Sequence, residues 1–353
     1  MKVAIRTIRQ IHDDAHSIAI KKAGSRGLLA LAIFLLLAAF AGGCSGSDKT
    51  EYQQDTHNEP LSVAVVLDEA GDNDNAFNEY TLQGARQASV ELGLEFDYLV
   101  SHDYQVDIQT YADEGYDLII TVGFLMMEAT ASVAKACPNT HFAIVDVDYP
   151  GYDDIPNVTS LTFAEKEGGY LAGVLAGCVT ETNVIASVSG MELPPVVRFV
   201  TGFQEGAKSV NPNVITLNEY VPDFNDPETG LRLGREFISQ GADVVFGVGG
   251  NTGNAGLKAA YEAGVMGIGI DVDQYYTLPE ISGCLITSAM KNVDAVAGQA
   301  VKDFVSGNLN SGIRQATIIN GGIALAPYHD WEEVIPDACK DKVEDALNQL
   351  ANN

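Results

Sequence analysis

Between residues 61 and 290 the chain alternates short β-branched runs with longer stretches of helical period. Strand-like runs fall at 61–67, 94–100, 116–122, 141–147 and 158–163, and again at 183–189, 213–219, 242–248, 265–271 and 284–290. Helix-period segments separate most of them, at 76–92, 124–136, 165–178, 195–209, 227–240, 253–263 and 291–306. Runs such as LSVAVVL (61–67) and YDLIITV (116–122) are nearly all apolar. A strand of that kind is buried on both faces, which requires helices above and below a parallel sheet. The expected class is α/β, doubly wound. Two series of similar length, 61–163 and 183–290, predict two such lobes whose strand carboxyl ends face a common cleft. Two further strand candidates (316–320 and 323–326) and a last helix near 336–350 bring the chain back after the second series. More than one crossover should therefore form the hinge. The expected division is 59–163 plus 291–313 for lobe 1, and 164–290 plus 314–353 for lobe 2.

Ahead of this pattern, residues 28–41 form an apolar run of fourteen behind Lys21, Lys22 and Arg26. A spanning helix needs about 20 apolar residues, so a run this short reads as an export signal covering 1–43. Cys44 directly after Ala41-Gly42-Gly43 resembles a bacterial lipobox, with Ala41 where such boxes usually carry Leu. That resemblance implies that Cys44 is acylated and becomes the mature N-terminus. Residues 44–58 are polar and aperiodic and read as a tether. The expected location is the cell envelope, on a periplasmic or extracytoplasmic face, with membrane contact through the lipid anchor alone. A monomer is expected.

Residues 1–43 carry six of the 20 Lys/Arg and two of the 48 Asp/Glu, which leaves 14 and 46 and a formal charge of −32. Such a surface repels phosphate backbones and excludes nucleic acid as a partner. Four cysteines remain, Cys137, Cys178, Cys284 and Cys339, none in a C-x-x-C pair. Four cysteines allow three pairings, and the sequence does not choose among them. Small buried apolar side chains are the expected role for most of them.

The loop GDNDNAFN (71–78) follows the first strand at once. Phe77 there suits stacking on a flat polar ring, and Asp74 and Asn78 suit hydrogen bonds to it. A polar turn with Asn75 as helix cap is the plainer alternative. A calcium loop is excluded, because Ala76 and Phe77 stand where a ligand and a Gly are needed. Asp146 and Asp148 close the fourth strand, Asp271 and Asp273 repeat that arrangement, and Lys291 opens a helix soon afterwards. Carboxylates beside a lysine suit a ligand's vicinal hydroxyls, although a surface ion pair is the ordinary use of such a Lys. The run Gly247-Val-Gly249-Gly250-Asn-Thr-Gly253 approximates a dinucleotide fingerprint but places Thr252 where Gly is needed. Close backbone approach to a neutral ligand is the better use of those glycines. No H-E-x-x-H, G-x-S-x-G or G-x-x-x-x-G-K-[ST] occurs, so no enzyme, cofactor, catalytic residue or metal site is expected.

Several segments taken together resemble the basic membrane protein family of ABC-transporter substrate-binding lipoproteins. They are GDNDNAFN (71–78), NVTSLTF (157–163) with EKEGGYLAG (165–173), GMELPPVVRF (190–199) with Gly202-Phe203, QGADVVF (240–246) with the glycine run, GIDVDQ (269–274) and SAMKNVD (288–294). The resemblance covers about 61–326. The family's purine nucleoside receptors have a type I periplasmic-binding-protein fold, which the resemblance implies for this chain. It further implies Phe77 and Phe199 sandwiching a nucleobase, with Phe203 as the alternative second ring. Asp74 and Asn78 would address the base edge, and Asp146, Gly249, Asp271 and Lys291 would surround the ribose. Where family members commonly carry Asp-Lys-Ser-Phe-Asn, this chain has Asp74-Asn-Ala-Phe-Asn78. The implied partners are a nucleoside and a membrane ABC permease. A sugar or autoinducer-type receptor of the same fold is the rival among binding proteins, and an exported nucleoside hydrolase is the rival among enzymes.

Overall fold

A computed structural model of the protein describes residues 60–352 apart from Tyr149 and Asp153. The expected signal, Cys44 and the tether lie outside the described residues. The first series runs β1 (Ser62–Leu67), α1 (Phe77–Leu92), β2 (Glu95–Val100), α2 (Tyr104–Asp113), β3 (Leu118–Val122), α3 (Met127–Ala136), β4 (His141–Val145) and β5 (Val158–Phe163). The second runs α4 (Glu165–Val179), β6 (Val184–Ser189), α5 (Pro194–Val210), β7 (Ile215–Tyr220), α6 (Pro227–Ser239), β8 (Val244–Val248), α7 (Gly250–Ala263), β9 (Met266–Asp271), α8 (Gln274–Thr277) and β10 (Leu285–Lys291). The chain then adds α9 (Val293–Val305), β11 (Gly312–Ala316), β12 (Ile323–Leu325) and α10 (Asp337–Ala351).

Two six-stranded sheets result, ordered β11-β5-β4-β3-β1-β2 and β12-β10-β9-β8-β6-β7. All pairings are parallel except β10 with β12. Strands β3 and β8 are buried along their whole length, as strands covered by helices on both faces must be. In both sheets the strand order reverses beside the first strand, between β1 and β3 and between β6 and β8. Such switch points open a crevice outside the strand ends, because the connections leave in opposite directions there.

Three crossovers link the sheets: β5 to α4, β10 to α9, and β11 to β12. The last departs from the expected strand at 316–320. Residues 312–316 form the strand instead, and Thr317–Gly321 turn. Asn320 Oδ1 accepts from the amides of Thr317 and Gly322, and Gly321 takes a left-handed φ of 77°. A side chain that captures two backbone donors offers the chain an alternative to a ladder. The apolar pair Ile318-Ile319 therefore does not extend the strand.

Helices α4 and α5 meet through glycines. A Cβ on Gly173 would lie 2.0 Å from the Phe203 carbonyl oxygen, and one on Gly206 would lie 2.0 Å from that of Tyr170. This close approach delivers Arg198 and Phe199 of α5 to the start of α4. Cys178 and Cys339 form a disulfide between the end of α4 and α10, across 161 residues. That corrects the expectation of isolated apolar cysteines for this pair, while Cys137 and Cys284 are free.

Candidate functional site

The strand ends of both sheets enclose a cleft with about 790 Å³ of empty space, open to solvent. It lies at both switch points, where the fold itself makes room. The first lobe contributes Asp68, Asp74, Phe77, Asn78, Phe124 and Asp146; the second contributes Phe199, Phe224, Gly249, Asp271 and Lys291. All eight ligand-binding residues expected from the sequence line it.

Lys291 is the electrostatic centre. It is 3% exposed, and its Nζ donates to Asp146 Oδ2 at 2.5 Å, with Glu165 at 3.8 Å and Asp271 at 4.0 Å. The rings of Phe77, Phe163 and Phe199 stand 5.1, 5.2 and 5.7 Å from it. An ammonium so buried keeps its charge only with close counter-charges and aromatic faces. Burial works against its proton, but Asp146, Asp271 and Glu165 together outweigh that and hold its pKa above the usual lysine range.

Asp146 and Asp271 occupy equivalent places, one just after and one at the end of the fourth strand of its series, and both have left-handed backbones with φ of 71° and 63°. Non-glycine residues take this conformation seldom, Asp and Asn most readily. Burial pushes the Asp271 carboxyl up to about 6; Lys291 opposes the shift and Asp146 adds to it. Asp146 Oδ1 is buried and has no hydrogen-bond partner among the described residues.

Glu165 and Arg198 were not singled out by the sequence. Glu165 is fully buried at the first position of α4, where Arg198 Nε donates to it at 2.6 Å and Nη2 at 3.3 Å. Burial raises the Glu165 pKa despite Lys291 and Arg198. Since Glu165 begins one crossover and Lys291 precedes another, this ion network spans the hinge.

Several expected roles change. The Asp74 carboxylate accepts from the amides of Ala76, Asn78 and Glu79, at 3.1, 2.9 and 3.0 Å. It serves as the cap of α1, in place of Asn75, and holds the loop that carries Phe77. Phe199 is 2% exposed and packs edge-on against Phe246, with Phe203 also buried against Phe246. Phe199 still lines the cleft, with little of its surface exposed, whereas Phe203 is not among the lining residues. Phe224, unnoticed in the sequence, is half-buried and lines the second lobe's wall. Its ring needs Gly190 and Gly249, where added Cβ atoms would come within 2.4 and 3.0 Å of it. The glycine run thus seats an aromatic ring. The signal that could have found Phe224 is the one that found Phe77: an aromatic between a strand end and a helix start, here just before Asp226-Pro227.

Among the described residues there is no cluster of His, Cys, Asp and Glu able to hold a metal ion, and no helix long and apolar enough to cross a membrane. The model of the Bmp family, described as "ABC transporter substrate-binding protein PnrA-like", matches residues 61–348. The chain is 34% identical over 263 residues to the CD4+ T-cell-stimulating antigen of Listeria innocua, covering 70% of this chain and 73% of that protein. It is 30% identical over 330 residues to the ABC transporter nucleoside-binding protein BmpA of Lactococcus lactis, covering 86% and 90%. Among solved structures it is similar to an ABC transporter solute-binding protein of Aeropyrum pernix, with a TM-score of 0.76 and 26% identity over 83% of this chain and 92% of that one. Its two parallel-sheet lobes have the type I periplasmic-binding-protein architecture expected from the sequence, and the chain belongs to the Bmp family of ABC-transporter substrate-binding proteins.

Proposed function

We propose that this protein captures a nucleoside in the interlobe cleft and delivers it to a membrane ABC permease, performing no chemistry on it. The observation that carries this reading is the layout of the cleft. At one end Asp146, Asp271 and Lys291 offer acceptors and one donor suited to vicinal ribose hydroxyls. At the other, beyond β3, Asp68 and Asn78 form a polar edge. Strands β1 and β4 are two spacings apart in the sheet, roughly 10 Å, which is about the length of a nucleoside. Phe77 and Phe224 supply aromatic walls from opposite lobes. In this reading Phe77 and Phe224 hold the base, while Phe199 braces Lys291. Similarity to a nucleoside-binding BmpA supports the same ligand class.

Closure of the lobes around such a ligand desolvates it and gives the permease a distinct shape to engage. Four cleft carboxylates, Asp68, Asp74, Asp146 and Asp271, outnumber the single ammonium. A phosphate would meet uncompensated negative charge, so nucleotides are rejected. Calorimetry of the mature domain should show nucleosides binding more tightly than ribose, galactose, free bases or nucleoside monophosphates. Unpaired buried acceptors cost about 1–3 kcal/mol each, so a free base should bind at least about tenfold more weakly than its nucleoside. Equal affinity for guanine and guanosine would remove the ribose assignment of Asp146, Asp271 and Lys291, and a preference for hexoses would replace the nucleoside reading.

A further inference from the structure

Phe224 reaches the cleft wall from the connection between β7 and α6, and what fixes that connection comes from α7. Thr252, in the first turn of α7, is fully buried. Its hydroxyl donates to the Asp223 carbonyl at 2.8 Å and accepts from the Asp226 amide at 3.0 Å. A hydroxyl has one proton to give and lone pairs to receive, so the two roles are compatible. Among the described residues no other group pairs with that carbonyl or that amide. The Thr252 amide donates to the carbonyl of Phe224 itself at 3.1 Å. One residue therefore grips the chain just before Phe224, at it, and two residues beyond it. Asn251 adds a bond from its Nδ2 to Asn225 Oδ1 at 2.9 Å. Thr252 has little room to drift: a Cβ on Gly230 of α6 would come within 2.1 Å of its carbonyl oxygen. Branching at its own Cβ restricts χ1 as well.

The same contacts account for the departure from the dinucleotide fingerprint at this position. An amide in the first turn of a helix has no intrahelical acceptor, and a phosphate at a helix N-terminus binds such amides. Here the Thr252 amide is taken by the chain's own Phe224 carbonyl, and a side chain that Gly would lack holds the two flanking peptide groups. Thr252 itself is not among the residues lining the cleft. We infer that Thr252 is the positioning residue of the Phe224 wall, fixing that ring on its seat of Gly190 and Gly249. This role rests on the nucleoside reading and deepens it by naming what presents one of its two aromatic walls. Without the hydroxyl, a carbonyl and an amide beside the ring lose their partner, and the connection must shift to find water.

The test combines amide hydrogen exchange followed by NMR with calorimetry of nucleoside binding, on the mature protein and its variants. In the ligand-free wild-type protein the Asp226 amide should be protected; exchange at the rate of an unstructured chain would overturn the clamp with no variant needed. Thr252→Val keeps the branched shape and removes the hydroxyl. It should speed Asp226 exchange and weaken the tightest-bound nucleoside about tenfold, and Thr252→Ser should recover most of that loss. In a Phe224→Ala background the same Thr252→Val change should cost no more than about twofold, because its effect travels through the ring. A general loosening of the lobe would cost affinity equally with and without the ring. Equal losses in both backgrounds would therefore overturn the inference, as would full affinity in a folded Thr252→Val protein. A wild-type protein that melts cooperatively yet binds none of guanosine, inosine, adenosine and cytidine would instead overturn the nucleoside reading, and Asp226 exchange would still decide the clamp.

Discussion

Two kinds of aromatic residue meet at this cleft, and burial separates them. Phe77 and Phe224 are half-buried with ring surface turned to the cleft, whereas Phe199 belongs to the core of the second lobe. Base–aromatic stacking is worth about 1–3 kcal/mol, so Phe77→Ala and Phe224→Ala should each weaken nucleoside binding roughly 5- to 150-fold with little change in melting temperature. Removing a core Phe leaves a cavity costing about 3–5 kcal/mol, so Phe199→Ala should act first on the melting temperature. Calorimetry with melting curves distinguishes them: a folded Phe199→Ala protein without affinity, beside a fully active Phe224→Ala, would reverse the assignment. Asp271 gives a second prediction at this scale. Its carboxyl is raised to about 6, first by burial, so the folded chain holds that proton more readily than the unfolded chain does. This group's contribution to stability is thus greatest below the ordinary carboxylate range and declines as pH rises toward about 6. Binding runs the other way, because the ionised carboxylate is the better acceptor for ligand hydroxyls. Affinity should increase as pH rises through about 6 and then level off, and Asp271→Asn should flatten that rise. A wild-type affinity constant across this window would exclude Asp271 from the ribose site.

At the scale of the element, the pairing of α4 with α5 is what brings the hinge network together. Glu165 opens α4 and Arg198 lies on α5, and their ion pair forms because glycines let the two backbones approach. Gly173→Ala would gain up to about 1 kcal/mol of helix propensity. The new Cβ would stand 2.0 Å from a backbone carbonyl oxygen of Phe203, which cannot give way as a side-chain tip could. Overpacking costs typically about 1–3 kcal/mol and sometimes more, so the clash wins. The variant should melt several degrees lower, at about 2–4 °C per kcal/mol, and should bind nucleoside more weakly as Arg198 and Glu165 separate. A melting temperature at or above the wild-type value would show that the helices move apart freely.

For the whole molecule, the proposed anchor and the folded domain are separable. Cys44 lies ahead of a polar tether, and the domain's described residues complete two sheets without it. Cys44→Ala should leave nucleoside affinity and melting temperature unchanged but release the protein from membranes. Retention in the membrane fraction after a high-salt wash would contradict anchoring by lipid. The Cys178–Cys339 disulfide ties α10 to α4 within the second lobe, across 161 residues. A cross-link across so long a stretch removes much loop-closure entropy from the unfolded chain.

The sequence by itself determined the elements and their class, because burial on both faces writes nearly continuous apolar strands and helix-period spacers directly into the residues. It also marked the strand-end loops: the eight expected ligand-binding residues all line the cleft, since the carboxyl ends of parallel strands converge there. Which strand-end side chains keep an unpaired atom or an exposed ring was decided only in three dimensions. Asp74 looks like Asp68 in the sequence, yet it is spent on the α1 amides while Asp68 keeps an oxygen open. Phe199 looks like Phe224, yet close packing of α4 on α5 sinks one ring into the core and two distant glycines seat the other at the wall. Hydrogen-bond satisfaction and ring exposure depend on partners far away in the chain, and no local pattern of residues records them.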